Sequence, residues 1–160
     1  MRIALGSDRN GLDYKKRIIA HLKELGHETI DVGTEENVPC DTPVFAAKAA
    51  KLVASGDCRY GILLCATGTG MVMAANKIKG ILCGLGYADL VTKYMRKHND
   101  ANMIAFGQKH MGYEDVEHRV DIFLNTEFIG GHHSPRVQQV RDLEEGKEIQ
   151  QTPLMNPDWR

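Results

Sequence analysis

The sequence predicts an α/β protein in which helices cover both faces of a parallel β-sheet. Short β-rich segments alternate with amphipathic segments along the chain, as in successive βαβ units. Residues 61–65 are apolar almost throughout, which is typical of a central strand with helices on both sides of its sheet. The 160 residues suit one compact domain, and a second complete domain is not expected.

Each predicted strand is a short run rich in apolar residues, and each predicted helix shows apolar residues spaced three or four apart. Gly26 and Gly56 mark the ends of the first two helices. Thr42 and Pro43 predict the start of the second helix, with the hydroxyl as its cap and the proline in its first position, and Asp89 is the predicted cap of the fourth. The predicted order is strand 3–6, helix 12–25, strand 28–32, helix 42–55, strand 61–65, helix 71–77, strand 81–85, helix 89–97, strand 103–106 and helix 113–124.

A last helix is predicted from Ser134 as its N-cap and Pro135 as its first residue. Beyond Leu143 the sequence becomes polar. We therefore expect one domain over residues 1–143 and a polar C-terminal tail over residues 144–160. The tail residues expected to contact the domain are Leu154, Met155 and Trp159.

Composition argues against several classes of partner. The 20 basic and 21 acidic residues give a net charge of -1 and are evenly spread, so we expect no nucleic acid partner. No apolar run approaches the roughly 20 residues that span a bilayer, and the first residues resemble a strand rather than a signal peptide, so we expect no membrane contact. The four cysteines lie far apart without a CxxC pair, which favours reduced thiols and a cytoplasmic location.

Ligands of an open parallel sheet bind beyond the carboxyl ends of its strands. Residues that end or directly follow the predicted first, third and fifth strands are therefore the first candidates for a functional site. They are Asp8, Arg9, Cys65, residues 67–70 and Lys109.

Cys65 ends an apolar strand immediately before a glycine-rich turn. Nearby backbone N–H groups and the start of the next helix favour a thiolate there, whereas the alternative is a small buried apolar side chain. Gly68 and Gly70 allow successive N–H groups to point into one concavity suited to a phosphate or a developing oxyanion. A tight turn without a ligand would also use glycine, and the segment matches neither the P-loop nor the dinucleotide-binding fingerprint.

Basic and imidazole side chains supply further candidates. Arg136 falls in the first turn of the last helix, where the helix dipole disfavours a cation. Beside His132 and His133 it indicates an anion held at that end, and a solvated arginine with two loop histidines is the alternative. His98 follows the fourth helix, where it can act as an acid or base near neutral pH or only cap the helix.

Together these residues resemble the ribose-5-phosphate isomerase type B family, which also includes allose-6-phosphate and galactose-6-phosphate isomerases. The resemblance extends to about Val140. It is carried by IALGSD at 3–8, GILLCATGTG at 61–70, AANK at 74–77, HNDAN at 98–102 and the segment 126–131. It implies a three-layer Rossmann-like fold with a five-stranded parallel sheet. It also implies a homodimer, with a dimer of dimers left open, whose active sites each use residues of both subunits.

The resemblance further implies what the residues do. Cys65 would be the base that moves a proton between C1 and C2 of the open-chain sugar through a cis-enediolate, without a metal or an organic cofactor. Thr67 would stabilise the enediolate oxygen together with the amides of Gly68, Thr69 and Gly70.

The implied roles of the remaining candidates concern ring opening and substrate binding. His98 of the partner subunit would open the sugar ring, Asn99 would contact the reacting oxygens and Asp8 would hold sugar hydroxyls. The residues at positions of phosphate contacts are Arg9, Lys109, His132 and Arg136.

This chain departs from the family pattern at four places, and one of them is Lys109, which stands where arginine is usual. Where Asp-His-Ala-Gly is usual it has DRNG at 8–11, and where Gly-Gly-Arg-His is usual it has GGHH at 130–133, so histidine and arginine have exchanged places. Thr42 stands where tyrosine is common and could enlarge the sugar pocket. Since arginine and histidine differ in geometry, the departures leave the preferred sugar open.

Ribose 5-phosphate and ribulose 5-phosphate are the default substrate pair. A hexose 6-phosphate of the allose or galactose type, a tetrose phosphate or a free sugar is the alternative within the same reaction class. A non-catalytic nucleotide-binding α/β module is an alternative of another class, which the presence of Cys65, His98 and Asp8 disfavours. A thiol redox protein is a further alternative. It would require a second cysteine near Cys65, and the sequence places none there.

Overall fold

The computed structural model describes residues 1–152, and within them the chain forms five β-strands and six α-helices. Short 3-10 turns precede α1 and α6 at Arg9–Gly11 and Gly131–His133. The elements are β1 (Arg2–Ser7), α1 (Leu12–Glu24), β2 (Glu28–Asp31), α2 (Thr42–Ala54), β3 (Tyr60–Cys65), α3 (Thr69–Ala75), β4 (Cys83–Leu85), α4 (Asp89–Lys97), β5 (Met103–Gly107), α5 (Tyr113–Asn125) and α6 (Ser134–Glu144).

The five strands form one parallel sheet in the order β2-β1-β3-β5-β4. The central strand β3 pairs with β1 and β5, and Cys65 at its end lies opposite Gly107. All six residues of β3 are buried, as expected of a strand covered on both faces. The carboxyl ends of β1, β3 and β5 therefore lie side by side.

Helices cover both faces of the sheet. On one face α1, α4 and α5 pack on the strands through Ile18, Met95 and Phe123. On the other face α2 and α3 pack through small or flexible side chains such as Ala49 and Met71. This arrangement confirms the predicted three-layer, Rossmann-like α/β fold with a five-stranded parallel sheet.

Three helix starts differ from the prediction by one residue, and α3 begins at Thr69, two residues before its predicted start. Asp41, Ala88 and His133 are the residues that precede α2, α4 and α6, so the predicted caps Thr42, Asp89 and Ser134 are instead the first helical residues. The Thr42 hydroxyl does not cap α2, because it donates its hydrogen bond to the Asp8 carboxylate.

Strand β4 begins two residues later than predicted. The Asn102 side chain forms hydrogen bonds with backbone groups that precede the strand. Asn102 Oδ1 accepts a hydrogen bond from the Leu82 amide at 2.9 Å, and Asn102 Nδ2 donates to the Gly80 carbonyl at 2.8 Å. Regular pairing with β5 starts at Cys83.

Helix α6 ends at Glu144, and residues 145–152 form no further helix or strand. The Gln139 side chain donates to the Thr152 hydroxyl at 3.2 Å, so this segment runs back along α6. The predicted tail contacts of Leu154, Met155 and Trp159 lie outside the described residues. Within residues 1–152 no helix is long and apolar enough to cross a membrane.

Candidate active site

Backbone hydrogen bonds join the loops that follow the three central strands. The Asp8 amide donates to the Leu64 carbonyl at 3.3 Å, and the Gln108 amide donates to the Cys65 carbonyl at 2.9 Å. The Lys109 amide donates to the Ala66 carbonyl at 3.1 Å. The strand-end candidates predicted from the sequence are therefore brought together at one edge of the sheet, and we refer to Asp8, Cys65 and residues 67–70 as the strand-end group.

Cys65 is nearly buried, with 5% of its surface exposed, the same fraction as Asp8. Its Sγ accepts a hydrogen bond from the Gly68 amide at 3.1 Å. A backbone donor is therefore held directly against the sulfur. The sequence predicts that the N–H groups around Gly68 and Gly70 point into one concavity. The sulfur of Cys65 occupies part of that concavity, because the Gly68 amide faces it.

Glycine is required at position 68. Its φ of 82° lies in the left-handed region, where other residues are strained. A Cβ there would come within 2.5 Å of Leu85 Cδ1 and 3.0 Å of the Phe106 carbonyl carbon. Gly107 meets a similar restriction, because its Cβ would lie 2.7 Å from the Thr67 carbonyl carbon. These contacts fix the turn that places the Gly68 amide on the sulfur.

Asp8 is held at the same edge by two hydrogen bonds. Its Oδ1 accepts from the Asn10 amide at 2.8 Å, and its Oδ2 accepts from the Thr42 hydroxyl at 2.6 Å. The Thr42 methyl group lies close to Gly70, since a Cβ at Gly70 would be 3.7 Å from it. Asp8 and Thr42 therefore form one wall beside the glycine-rich turn.

The remaining strand-end candidates are open to solvent. Thr67, Thr69 and Gly70 are exposed, as are the side chains of Arg9 and Lys109. Two cations at the rim of a nearly buried cysteine and aspartate make this edge suited to an anionic ligand with hydroxyl groups. Within residues 1–152 no three His, Cys, Asp or Glu side chains converge in a way that could hold a metal ion.

His98 belongs to a second group of residues, which we call the histidine stack: Tyr94, His98, His133 and His132. The rings of Tyr94 and His98 stack with centroids 4.4 Å apart, and those of His98 and His133 with centroids 4.1 Å apart. The rings of His132 and His133 are also in contact, with centroids 4.0 Å apart and planes tilted by 41°. The His98 ring is thus clamped between two aromatic rings.

The segment before α6 positions the histidine stack. The Ile129 amide donates to the Lys97 carbonyl at 3.1 Å, which ties this segment to the end of α4. Gly130 and Gly131 both have positive φ and turn the chain into α6. Arg136 reaches back from α6 and donates to the His132 carbonyl.

The pKa of His133 lies below its usual value of 6.5. Burial is the largest cause, and the neighbouring His132, His98, Arg136 and Lys97 add to it by repelling a further positive charge. The histidine stack therefore favours a neutral His133 at physiological pH.

The histidine stack lies at the opposite edge of the sheet from Cys65. The last turn of α4 is anchored at the start of β3, where Arg96 Nη2 donates to the Tyr60 hydroxyl at 2.9 Å. Cys65 lies five residues further along β3, which is about 16 Å at roughly 3.3 Å per residue. Within one chain, His98 and Cys65 are not brought together.

Asn99 and Arg136 border a groove of about 680 Å³ between α6 and β4. Apolar side chains, including those of Val140 and Leu143, line the same groove, and both are about half exposed. The groove adjoins the histidine stack and leaves one face of α6 uncovered in the single chain.

The sequence did not predict three contacts of the candidate residues. Tyr94 and His98 are four residues apart on α4, and this spacing could have indicated their contact. The sequence predicts the Thr42 hydroxyl as a helix cap and its small size as a change in the sugar pocket, whereas the hydroxyl holds Asp8. His133 was noted beside Arg136, but its contact with His98 depends on a fold that brings together residues 35 positions apart, so no local pattern could reveal it.

The fold is that of Rossmann-like α/β proteins, which bind their ligands beyond the carboxyl ends of the central strands. The family model for ribose/galactose isomerases matches residues 3–140. The chain belongs to this isomerase family, as the sequence motifs predicted.

Individual relatives agree with this assignment. Ribose-5-phosphate isomerase B of Escherichia coli (strain K12) is 39% identical over 144 residues, which are 90% of this chain and 97% of that protein. Galactose-6-phosphate isomerase subunit LacB of Clostridium acetobutylicum is 38% identical over 80% of this chain and 74% of that protein. The structure of Clostridium thermocellum ribose-5-phosphate isomerase B superposes with a TM-score of 0.90 at 40% identity, covering 91% of this chain and 99% of that one.

Proposed function

We propose that this protein is a cytoplasmic aldose-ketose isomerase that interconverts ribose 5-phosphate and ribulose 5-phosphate. The observation that carries the proposal is the contact between Cys65 Sγ and the Gly68 amide, at the edge where parallel α/β sheets bind ligands. A nearly buried sulfur held by a backbone donor beside a carboxylate fits proton transfer next to a carbonyl.

The proposed reaction moves one proton between neighbouring carbons. Cys65 takes the proton from C2 of the open-chain aldose, and the electron pair of that bond forms the C1–C2 double bond of a cis-enediolate. The proton returns from the sulfur to C1, and the O2 hydroxyl proton passes to O1, which leaves the ketose carbonyl at C2. The negative charge on oxygen is stabilised by the exposed hydroxyl of Thr67 and the amides of Thr69 and Gly70, while Asp8 holds sugar hydroxyls.

Each proposed active site combines two copies of the chain. His98 would open the furanose ring by accepting the O1 proton as the bond between C1 and the ring oxygen breaks, and the protonated His98 would return that proton to the ring oxygen. Because His98 and Cys65 lie at opposite edges of the sheet in one chain, a second copy must supply the histidine. The apolar groove beside α6 offers a surface that this second copy could cover.

The phosphate contacts divide in the same way. Arg9 and Lys109 stand at the strand-end group, whereas His132 and Arg136 stand at the histidine stack. In a shared site these two pairs meet across the subunit interface and surround one phosphate with cations. The exchange of arginine and histidine between positions 9 and 132 keeps one of each around the phosphate.

The activity is tested by incubating the purified protein with ribose 5-phosphate and measuring ribulose 5-phosphate. Allose 6-phosphate, galactose 6-phosphate and free ribose complete the panel. We expect isomerisation of ribose 5-phosphate that falls by orders of magnitude in Cys65→Ala and persists in the matched control Cys40→Ala. Absence of ketose from every aldose phosphate would contradict the proposal, and full activity in Cys65→Ala would remove the cysteine from the mechanism.

The shared site is tested by mixing two inactive variants, Cys65→Ala and His98→Ala. In a mixed dimer one site carries both substitutions and the other carries neither. Random exchange of subunits makes half of the dimers mixed, so about one quarter of the wild-type activity should return. If Cys65 and His98 act within one chain, every site carries a substitution and the mixture stays inactive.

A further inference from the structure

A second cavity lies at the amino-terminal edge of the sheet, far from the strand-end group. It has a volume of about 310 Å³. The residues that matter for its chemistry are Arg59, Tyr60, Arg96, Asp100 and Arg141. We propose that this arginine cavity binds a small phosphate-type anion, either inorganic phosphate or a small phosphate monoester, as a site separate from the proposed active site.

The charges that line the arginine cavity are unbalanced. Three guanidinium groups face a single carboxylate among its lining residues, which leaves a formal excess of two positive charges. Asp100 is shared, since its Oδ1 lies 3.0 Å from Arg96 Nη1 and its Oδ2 lies 3.4 Å from Arg141 Nη2. A dianion would balance this excess, and a phosphate monoester approaches that charge at neutral pH.

Arg96 forms a fixed floor for the cavity. Its side chain is 1% exposed, and its guanidinium packs 4.8 Å from the centre of the Tyr60 ring. Nη1 donates to the Ala101 carbonyl at 2.7 Å, whereas Nε is buried and has no hydrogen-bond partner within residues 1–152. A buried guanidinium with incomplete pairing is costly, and an anion in the cavity would compensate for its charge.

The other donors can adapt to a ligand. Arg59 is exposed and packs over the Tyr60 ring at 5.2 Å, and the Arg141 side chain is 52% exposed. The Tyr60 hydroxyl accepts its hydrogen bond from Arg96 and keeps its own proton to donate. Guanidinium forks match pairs of phosphate oxygens, so two mobile arginines can close over an anion that rests on Arg96.

Size limits the ligand. Small-molecule pockets range over roughly 300–1,000 Å³, and this cavity lies at the lower end of that range. It therefore suits phosphate with at most a short organic substituent, and a nucleotide would not fit inside.

The test is isothermal titration calorimetry with two probes, inorganic phosphate and glycerol 3-phosphate, which has no carbonyl group to isomerise. The Arg136→Ala variant lowers phosphate binding at the proposed active site, so the signal that remains reports the arginine cavity. In that background we expect Arg59→Ala and Arg141→Ala each to weaken binding about tenfold, the equivalent of about 1.4 kcal/mol. The matched control Lys23→Ala removes one exposed cation elsewhere and should leave binding unchanged.

The Asp100→Asn variant gives an independent readout. Asn tolerates the left-handed backbone of this residue, whose φ is 51°, and the loss of the carboxylate frees two arginines. We expect tighter binding of the anion and a shift of the Arg96 Nε–H resonance on titration in ¹⁵N NMR. Tighter binding of glycerol 3-phosphate identifies a monoester site, and tighter binding of phosphate identifies a site for the free anion. Phosphate affinity that is unchanged by both Arg59→Ala and Arg141→Ala would overturn the proposal.

Discussion

His98 and His133 stack face to face, with ring centroids 4.1 Å apart and ring planes 8° from parallel. This contact fixes the plane of the imidazole proposed to open the sugar ring. Because Tyr94 covers the other face of His98, the ring can move only within its own plane. His133 is therefore a positioning residue for His98.

Replacing His133 tests that role. We expect His133→Ala to lower kcat on ribose 5-phosphate several-fold with little change in KM, because the His98 ring loses one of its two clamps. Erythrose 4-phosphate cannot close a furanose ring, since its O4 carries the phosphate, so turnover of this aldose should be spared. His133→Phe keeps a flat ring and should restore most of the activity. An equal loss on both substrates would assign His133 a merely structural role.

Gly68→Ala should disrupt the strand-end group. The left-handed backbone of residue 68 costs an alanine about 1–2 kcal/mol, and its Cβ would also clash with Leu85 Cδ1 at 2.5 Å. Both effects move the amide away from Cys65 Sγ, so we expect lower stability to urea and a large loss of kcat.

Gly80→Ala is the matched control for Gly68→Ala. Gly80 has a φ of 86° and no atom within 4 Å of the added Cβ, so this variant carries the backbone strain without the clash. It should lose about 1–2 kcal/mol of stability and keep its activity. Equal stability of the two variants would show that the turn relaxes around the clash.

The sequence predicted the strand-end group because its chemistry and its position coincide locally. An apolar strand that ends in Cys65 and continues into Gly68 is readable without a tertiary structure, and parallel strands bring their carboxyl ends to one edge. No local sequence pattern predicts the distance between His98 and Cys65. It depends on α4 running back along the sheet between the parallel strands β4 and β5, and on Arg96 anchoring its last turn at Tyr60.

The bond from Thr42 to Asp8 predicts a specific effect on substrate binding. Thr42→Val has nearly the same shape but cannot donate to Asp8 Oδ2, which removes a hydrogen bond to a charged group worth about 1.5–3 kcal/mol. We expect kcat/KM on ribose 5-phosphate to fall about tenfold or more, because Asp8 is then free to turn away from the sugar. Thr42→Ser keeps the hydroxyl and should remain close to the wild type. A Thr42→Val enzyme with unchanged kcat/KM would show that Asp8 is held without this bond.

The lowered pKa of His133 predicts a pH dependence of stability. Burial is its main cause, followed by repulsion from His132, His98, Arg136 and Lys97. The unfolded chain binds this proton more readily than the folded one, so the neutral ring's contribution to stability is complete above about pH 6.5. That contribution is lost as the pH falls through the lower pKa of the folded state.

Urea unfolding of the wild type and of His133→Phe, measured across this pH range, isolates the contribution of His133. The wild type should lose more stability on acidification than His133→Phe, because phenylalanine takes up no proton in either state. A ¹H NMR titration should place the pKa of His133 below 6.5, and Arg136→Gln should raise it because one repelling charge is removed. Parallel stability curves for the wild type and His133→Phe, or a His133 pKa above 6.5, would contradict the lowered pKa of His133.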